Sequence, residues 1–298
     1  MKKEILLFAS LTLLLLSLGC IQQGWWPPTI QPPVTLKVTV RPSAPSSIII
    51  GETAEYSLEI KNGYPKNIDD VEAYISSPDV TVSIQDPYLQ IGTIPAGDTT
   101  TITAQFSLLS SARENKSYSI VGKLKFNYLQ EASYEFVLAN KSEYATGITP
   151  RSYVEDGPLT ITMSGIKDVI TTTSFKPTLT IKNELNGFVS SSNVSVTPDS
   201  TLTELVIKIS KELITGFSAK IKMKEVNATL QDNFYVLQVT DPSLLKLEAN
   251  RLDVYLTINV RPEKLTQPTA FRDEILLSVK YGYVINIPTI TFTAIGAA

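Results

Sequence analysis

Histidine is missing from all 298 residues, and cysteine occurs once. Without imidazole there is no histidine general base, no Ser-His-Asp or Cys-His pair, and no histidine-ligated zinc, iron or copper. One thiol permits neither an internal disulfide nor a thiolate cluster. An excess of positive charge is lacking as well. Lys+Arg number 26 against 29 Asp+Glu, a net charge of −3, so no basic face is available for nucleic acid. What the chain has in quantity is threonine, β-branched aliphatics and 13 tyrosines, residue types that suit pleated, half-buried surfaces. These proportions point to an all-β protein with no catalytic set and no cofactor.

The one long apolar run is at the start. Lys2 and Lys3 precede an uncharged stretch from Ile5 to Leu18, which ends at Gly19-Cys20, the pattern of an export signal. Its 14 residues would cover about 21 Å as a helix, short of a hydrocarbon core of roughly 30 Å, which favours a cleaved signal over a spanning helix. Counted through Ile21 the run reaches 17 residues, the lower limit for a span, and an uncleaved anchor helix with its lysines in the cytoplasm is the alternative. Ser17-Leu18-Gly19-Cys20 resembles a prokaryotic lipoprotein signal with its first two positions reversed, and the resemblance implies lipidation at Cys20. Taken alone, Cys20 reads as a small apolar residue in a membrane segment. Residues 21–34 then carry four prolines and no charge, an extended tether of roughly 40 Å. Trp25 and Trp26 in that tether suit the headgroup level of a membrane, or packing on the first domain.

From Val34 the apolar residues alternate: Val34, Leu36, Val38, Val40, then Ala54, Tyr56, Leu58, Ile60, and later Leu252, Val254, Leu256, Ile258, Val260. Period two over such lengths predicts strands with one buried face, and turn signals such as Asn62-Gly63 and Asn186-Gly187 separate them. The chain also repeats itself. Ser57-Leu58-Glu59-Ile60-Lys61-Asn62 reads against Thr178-Leu179-Thr180-Ile181-Lys182-Asn183 at an offset of 121, and Leu124 to Tyr128 reads against Val279 to Tyr283 at an offset of 155. Two tandem immunoglobulin-like β-sandwich domains are expected, 35–145 and 146–298, behind a signal or anchor helix at 1–20. The second copy is longer by 34 residues (155 − 121), placed around 201–253. That insertion either carries binding or closes a sheet edge. Asn62-Gly63 after its alternating strand, the turn from Ile91 to Thr100, and the closing tyrosine-rich strand resemble the CARDB-type immunoglobulin-like domains of archaeal and bacterial surface proteins. The likeness covers roughly Val34 to Asn140 and is looser beyond. It implies an extracytoplasmic adhesion, scaffold or cell-envelope role.

Several constellations invite chemistry. Asn115, Asn140, Asn193 and Asn227 head N-x-S/T sequons and are candidate glycosylation acceptors in an exported chain. Ser164-Gly165-Ile166-Lys167 matches an S-x-x-K element, but its serine ends a strand-like run where acyl transfer needs it to open a helix. The acid pairs Asp69-Asp70, Glu155-Asp156 and Asp273-Glu274 could offer oxygens to a cation, and Glu155-Asp156 stands at the presumed joint between the copies; adjacent acids more often mark a solvated turn. A tyrosine face could stack sugars or bind protein. Tyr56 and Tyr128 share the phase of aliphatic neighbours and read as core, whereas Tyr255 falls out of phase.

The expected function is that of a membrane-anchored, extracytoplasmic structural or interaction protein. Its partners would be membrane lipid at the N-terminus and cell-envelope proteins, with no nucleic acid. An accessory or ligand-binding lipoprotein of a transport or secretion system is the alternative. A carboxylate-only hydrolase stands third.

Overall fold

A computed structural model of the chain describes residues 35–140, 149–191 and 199–296. The leader and tether, with Cys20, Trp25 and Trp26, lie outside the described residues, as do Asn193 and the expected boundary at 145/146. The described part is all-β. Its one α-helix, α1 (Pro242–Leu245), is a single turn capped by the Asp241 carboxylate, which accepts from the Ser243 N–H. No helix among the described residues is long and apolar enough to cross a membrane.

The first sequence copy supplies β1 (Val38–Ser43), β2 (Ser47–Ile49), β3 (Thr53–Asn62), β4 (Ile68–Ser76), β5 (Val82–Ile84), β6 (Tyr88–Ile94), β7 (Thr99–Leu108) and β8 (Ser117–Leu138). The second begins with β9 (Ser152–Val154), β10 (Thr160–Ser164), β11 (Ser174–Phe175), β12 (Thr178–Lys182) and β13 (Phe188–Ser190). After these come β14 (Glu204–Ser210), β15 (Ile214–Ile221), β16 (Lys224–Asn227), β17 (Thr229–Gln231) and β18 (Phe234–Val239). The last two strands are β19 (Arg251–Val260) and β20 (Phe271–Ile295). The alternation predicted from sequence is visible strand by strand: Tyr56, Leu58 and Ile60 of β3 are buried while Glu59 and Lys61 show polar faces. Such half-buried strands must cover their apolar face with a second layer.

Three sheets do this. Strands β1-β3-β7-β5 form one, and β10-β12-β19-β15-β16 with β11 form another. Both lie against a third, in the order β17-β18-β14-β20-β8-β4-β6, to which β13, β2 and β9 add. Two strands make that third sheet continuous. β8 and β20 pair antiparallel from Phe271↔Leu138 to Thr293↔Ser117, and each is long enough to serve both layers it faces. Phe292, late in β20, packs on Phe106 of β7 with ring centroids 5.1 Å apart. Phe136, late in β8, packs on Phe175 of β11 at 5.4 Å. Each copy therefore completes the other's sandwich with the second half of its final strand. A boundary in the sequence is not a boundary in space for these strands, and Val34–Ala298 forms one compact unit.

The repeat is carried by strand register. Thr39↔Lys61 in β1–β3 recurs as Thr160↔Lys182 in β10–β12, and Lys61↔Thr99 in β3–β7 recurs as Lys182↔Arg251 in β12–β19. Asp69↔Asn127 in β4–β8 recurs as Ser190↔Gly282 in β13–β20. The equivalent strands β8 and β20 are then paired with each other. Phe126↔Tyr283 and Tyr281↔Tyr128 exchange places, so a pseudo-twofold passes between Asn127 and Gly282. Between β13 and β19 the second copy inserts β14 to β18 and α1. β15 pairs with β19 as β5 pairs with β7, and β14, β17 and β18 lengthen the continuous sheet beyond β20.

One side chain anchors each copy. Asn62 Nδ2 donates to the carbonyls of Lys66, Ile94 and Pro95, and its Oδ1 accepts from the Tyr64 N–H at 3.0 Å. Asn183 repeats the arrangement at the same offset, donating to Gly187 O and accepting from the Leu185 N–H and the Tyr283 hydroxyl. Gly187 is required there, because a Cβ would fall 2.2 Å from the Tyr283 ring. Replacing Asn62, which is fully buried, by alanine should lower stability by about 3 kcal/mol, since several buried carbonyls lose their donor at once; urea unfolding curves will show it. Fragments 35–140 and 149–296 should acquire a β-type circular dichroism spectrum only when mixed, as a one-to-one complex. Cooperative unfolding of either fragment alone would contradict the exchanged arrangement.

Candidate interaction face

The ten-stranded sheet has an inner face covered by the two smaller sheets and an outer face that no described sheet covers. Side-chain phase decides which residues reach it. In β4 the buried positions are Val71, Ala73 and Ile75, so Tyr74 points outward and is 40% exposed. Its cross-strand neighbours are Tyr88 of β6, 48% exposed, and Lys123 of β8, which in turn faces Asn286 of β20. Of this row, Tyr74, Lys123 and Asn286 line an open groove of about 670 Å³ that also takes in Ser76, Val121, Ile287 and Thr289. The hydrogen bond of Tyr88 with Glu72 holds the phenol's pKa up at about 12, with partial burial adding to the effect.

A second row crosses the other end of the sheet: Tyr153-Ser133-Leu276-Lys208-Val236. Here Tyr153 is 61% exposed, and a groove of about 330 Å³ runs past Glu131, Val206 and Glu274. Between the two rows the outer face is closed. Lys125 and Asn127 carry the outward phase, yet both are buried. Asn127 Nδ2 donates to Asp70 at 2.8 Å, while Asp199 accepts from the N–H groups of Ser191 and Thr201. Burial holds the Lys125 ammonium below its ordinary range, opposed by the negative charges of Glu72, Asp70 and Asp199.

The residues singled out from sequence are scattered. Asn115 lies in an exposed turn at φ 59°, its N–H bonded to Ala294 O, and Asn227 is exposed on β16. Asn140 is half-buried at the edge of the described residues. Glu155 and Asp156 separate: Glu155 is buried and Asp156 exposed. Glu155 accepts from the Glu131 N–H at 3.0 Å and pairs with Lys66 at 2.9 Å, and Asp156 pairs with Lys37 at 2.6 Å. The positive charge facing this joint is thus lysine from the first copy. Burial works against the Lys66 ammonium, but the hydrogen bonds it donates to Glu131 and Glu155 outweigh it and keep its pKa above the usual value. Among the described residues no group of three or more acidic or thiol side chains is placed to hold a metal ion. Ser164 closes β10 and opens no helix. Tyr255 is exposed, and Tyr56 and Tyr128 are core.

Tyr74, Tyr88 and Tyr153 were missed by the sequence reading, although the out-of-phase criterion that picks Tyr255 also finds Tyr74. Comparison with known proteins adds little. No family model matches the chain, and no curated protein matches it. Among solved structures, 61% of the chain is similar to 10% of the native conformation of E. coli alpha-2-macroglobulin, at 12% identity and a TM-score of 0.28. The chain spans a small fraction of that protein.

Of the remaining acid pair, Glu274 lines the smaller groove while Asp273 has the inward phase of β20, opposite Phe136. Asp273 Oδ1 accepts from the Glu274 N–H, and its Oδ2 is buried without a partner. Burial, reinforced by Glu212 and Glu274, raises its pKa to about 6. The folded state therefore binds this proton more tightly than the unfolded chain does, and stability contributed here is lost as pH rises from about 4 through about 6. Asp273→Asn should raise stability at pH 7 by about 1 kcal/mol, less than the full shift implies because water still reaches the group. It should also flatten that part of the stability profile, which denaturation at stepped pH will measure.

Proposed function

We propose that this is a membrane-tethered, extracytoplasmic and non-catalytic protein of the cell envelope, built of two immunoglobulin-like, CARDB-type copies. It acts by presenting the outer face of its long sheet to partners. The observation that carries the reading is that face: a broad sheet surface bearing exposed tyrosines and two open grooves, behind a sequence whose only long apolar run is an export-type leader. Surfaces rich in half-exposed tyrosine suit recognition, because the ring supplies contact area at low entropic cost and the hydroxyl stays hydrated. Lipid on Cys20 would hold the sheet at the membrane through residues 21–34, with Trp25 and Trp26 at the interface. Asn115 and Asn227 are exposed enough to carry glycans. The enlarged second copy favours the accessory-lipoprotein reading as the alternative, since β14 to β18 add surface that the first copy lacks.

Cys20→Ala should move the full-length protein from the membrane to the soluble fraction, and the wild-type mass should begin at Cys20 with added lipid. An intact Met1 terminus would replace the lipid with a helical anchor. A photo-crosslinker at Tyr153 should capture envelope-lattice components in native membranes; capture of transporter or secretion subunits would establish the alternative.

A further inference from the structure

We infer that the corner of the long sheet where β20 begins beside the β14–β15 turn is a proton-operated latch, closed while the Asp273 carboxyl carries its proton and loosened when that proton leaves. The latch itself rests on strand pairing and packing. Its use, a smaller groove whose shape follows pH, rests on the reading of the outer face as a contact surface.

Strand pairing holds this corner on one side only. β8 accompanies β20 from its first residue, Phe271↔Leu138, whereas β14 reaches no further than Ile209↔Ile275. Beyond that pair the β14–β15 turn, with Ser210 and Glu212, takes the place of a strand beside Asp273. The inward positions of β20 here are Phe271, Asp273, Ile275 and Leu277, one acid among apolar side chains. Facing it from β8 is Phe136, fully buried and packed on Phe175. Asp273 Oδ1 accepts from the Glu274 N–H at 2.8 Å, while Oδ2 is enclosed with no partner. A charge on an enclosed oxygen without a partner costs far more than a neutral carboxyl in the same place.

The surrounding charges give no relief. Glu212 from the turn and Glu274 from β20 both add negative charge at Asp273, and the Glu274 N–H and the Ser210 hydroxyl offset burial and repulsion only in part. The cations of the corner are engaged elsewhere. Lys211 donates to Asp232 O, Arg261 binds Lys211 O and Glu263, and Arg272 pairs with Glu135 at 2.8 Å. Lys264 lies over the Phe271 ring, 4.7 Å from its centroid. Ionisation therefore favours a state in which the start of β20 parts from the turn and water reaches the carboxylate, and protonation favours the packed state. The two strands that meet here also wall the smaller groove, with Glu274 and Leu276 from β20 and Val206 and Lys208 from β14. Loosening the corner loosens that wall.

The test is nuclear magnetic resonance of isotope-labelled full-length protein between about pH 4 and pH 8, with amide hydrogen exchange corrected for intrinsic rates. The Asp273 carboxyl carbon should titrate near pH 6, and the amides of Tyr153, Lys208 and Leu276 should shift with the same midpoint. Protection at residues 272–276 should fall about tenfold as pH rises through it, less than the full difference in proton affinity implies because water still reaches the group. Small additions of urea should hardly alter exchange at residues 272–276, the mark of a local opening, whereas β3 amides should respond with the slope of global unfolding. Asp273→Asn should keep the acid-side protection and amide positions at every pH. A carboxyl midpoint below about pH 4.5 overturns the inference, as does an unchanged pH dependence in Asp273→Asn. An equal urea slope at residues 272–276 and in β3 overturns the latch as well, since the corner would then open only with the whole molecule. None of these readouts needs a partner, so failure of the latch is separable from failure of the Tyr153 crosslinking result.

Discussion

The antiparallel pairing of β8 with β20 is the interaction on which the rest depends. A sheet edge left with unpaired N–H and C=O groups is unstable and prone to aggregation, and both strands project far beyond the layer their own copy could cover. Pairing them satisfies both backbones and aligns the inner faces so that each half is roofed by one of the smaller sheets. The hydrophobic core is continuous as a consequence, running from Tyr118 and Phe292 at one end to Phe136 and Phe175 at the other. Tyr281 of β20 and Gln130 of β8 illustrate the coupling: the tyrosine hydroxyl donates to the glutamine, whose amide donates on to the carbonyls of Glu155 and Leu159. One buried chain of hydrogen bonds thus joins the final strand, the exchanged strand and the start of the second copy.

The outer face follows from the same constraint. With the inner face fully used for packing, whatever the sheet offers to the outside must come from the opposite phase of the same strands. The centre of that phase is closed by Lys125, Asn127 and their acidic neighbours, while the two ends remain open. The molecule therefore carries two separated grooves on one rigid surface, and their spacing is set by backbone hydrogen bonds instead of by loops.

Much of this was legible in the sequence. Alternation in β3 and β19 fixed the strand phase, and the offset of 121 between Asn62 and Asn183 located equivalent turns whose side chains make equivalent bonds. The offset of 155 near the ends identified equivalent strands, but not that they would lie side by side. Pairing partners are chosen by contacts far apart in the chain, and nothing local in Leu124 to Tyr128 announces Tyr281 as a neighbour. The joint at Glu155-Asp156 was found for its acids, while the lysines that neutralise them come from more than eighty residues upstream. Of the grooves nothing was visible, because a bulge at Pro288-Thr289 and a bare Gly122 matter only once three strands are brought together.

At the pseudo-twofold the two halves cease to be alike. Asn127 stands where its counterpart is Gly282, and a Cβ on that glycine would sit 3.2 Å from both the Asn127 carboxamide oxygen and the Lys125 Cε. A homodimer of either half would place two asparagines, or two glycines, at the crossing: crowded in one case, hollow in the other. Asn127 and Gly282 thus meet at the crossing as a large residue against a small one, a fit that two identical halves could not reproduce.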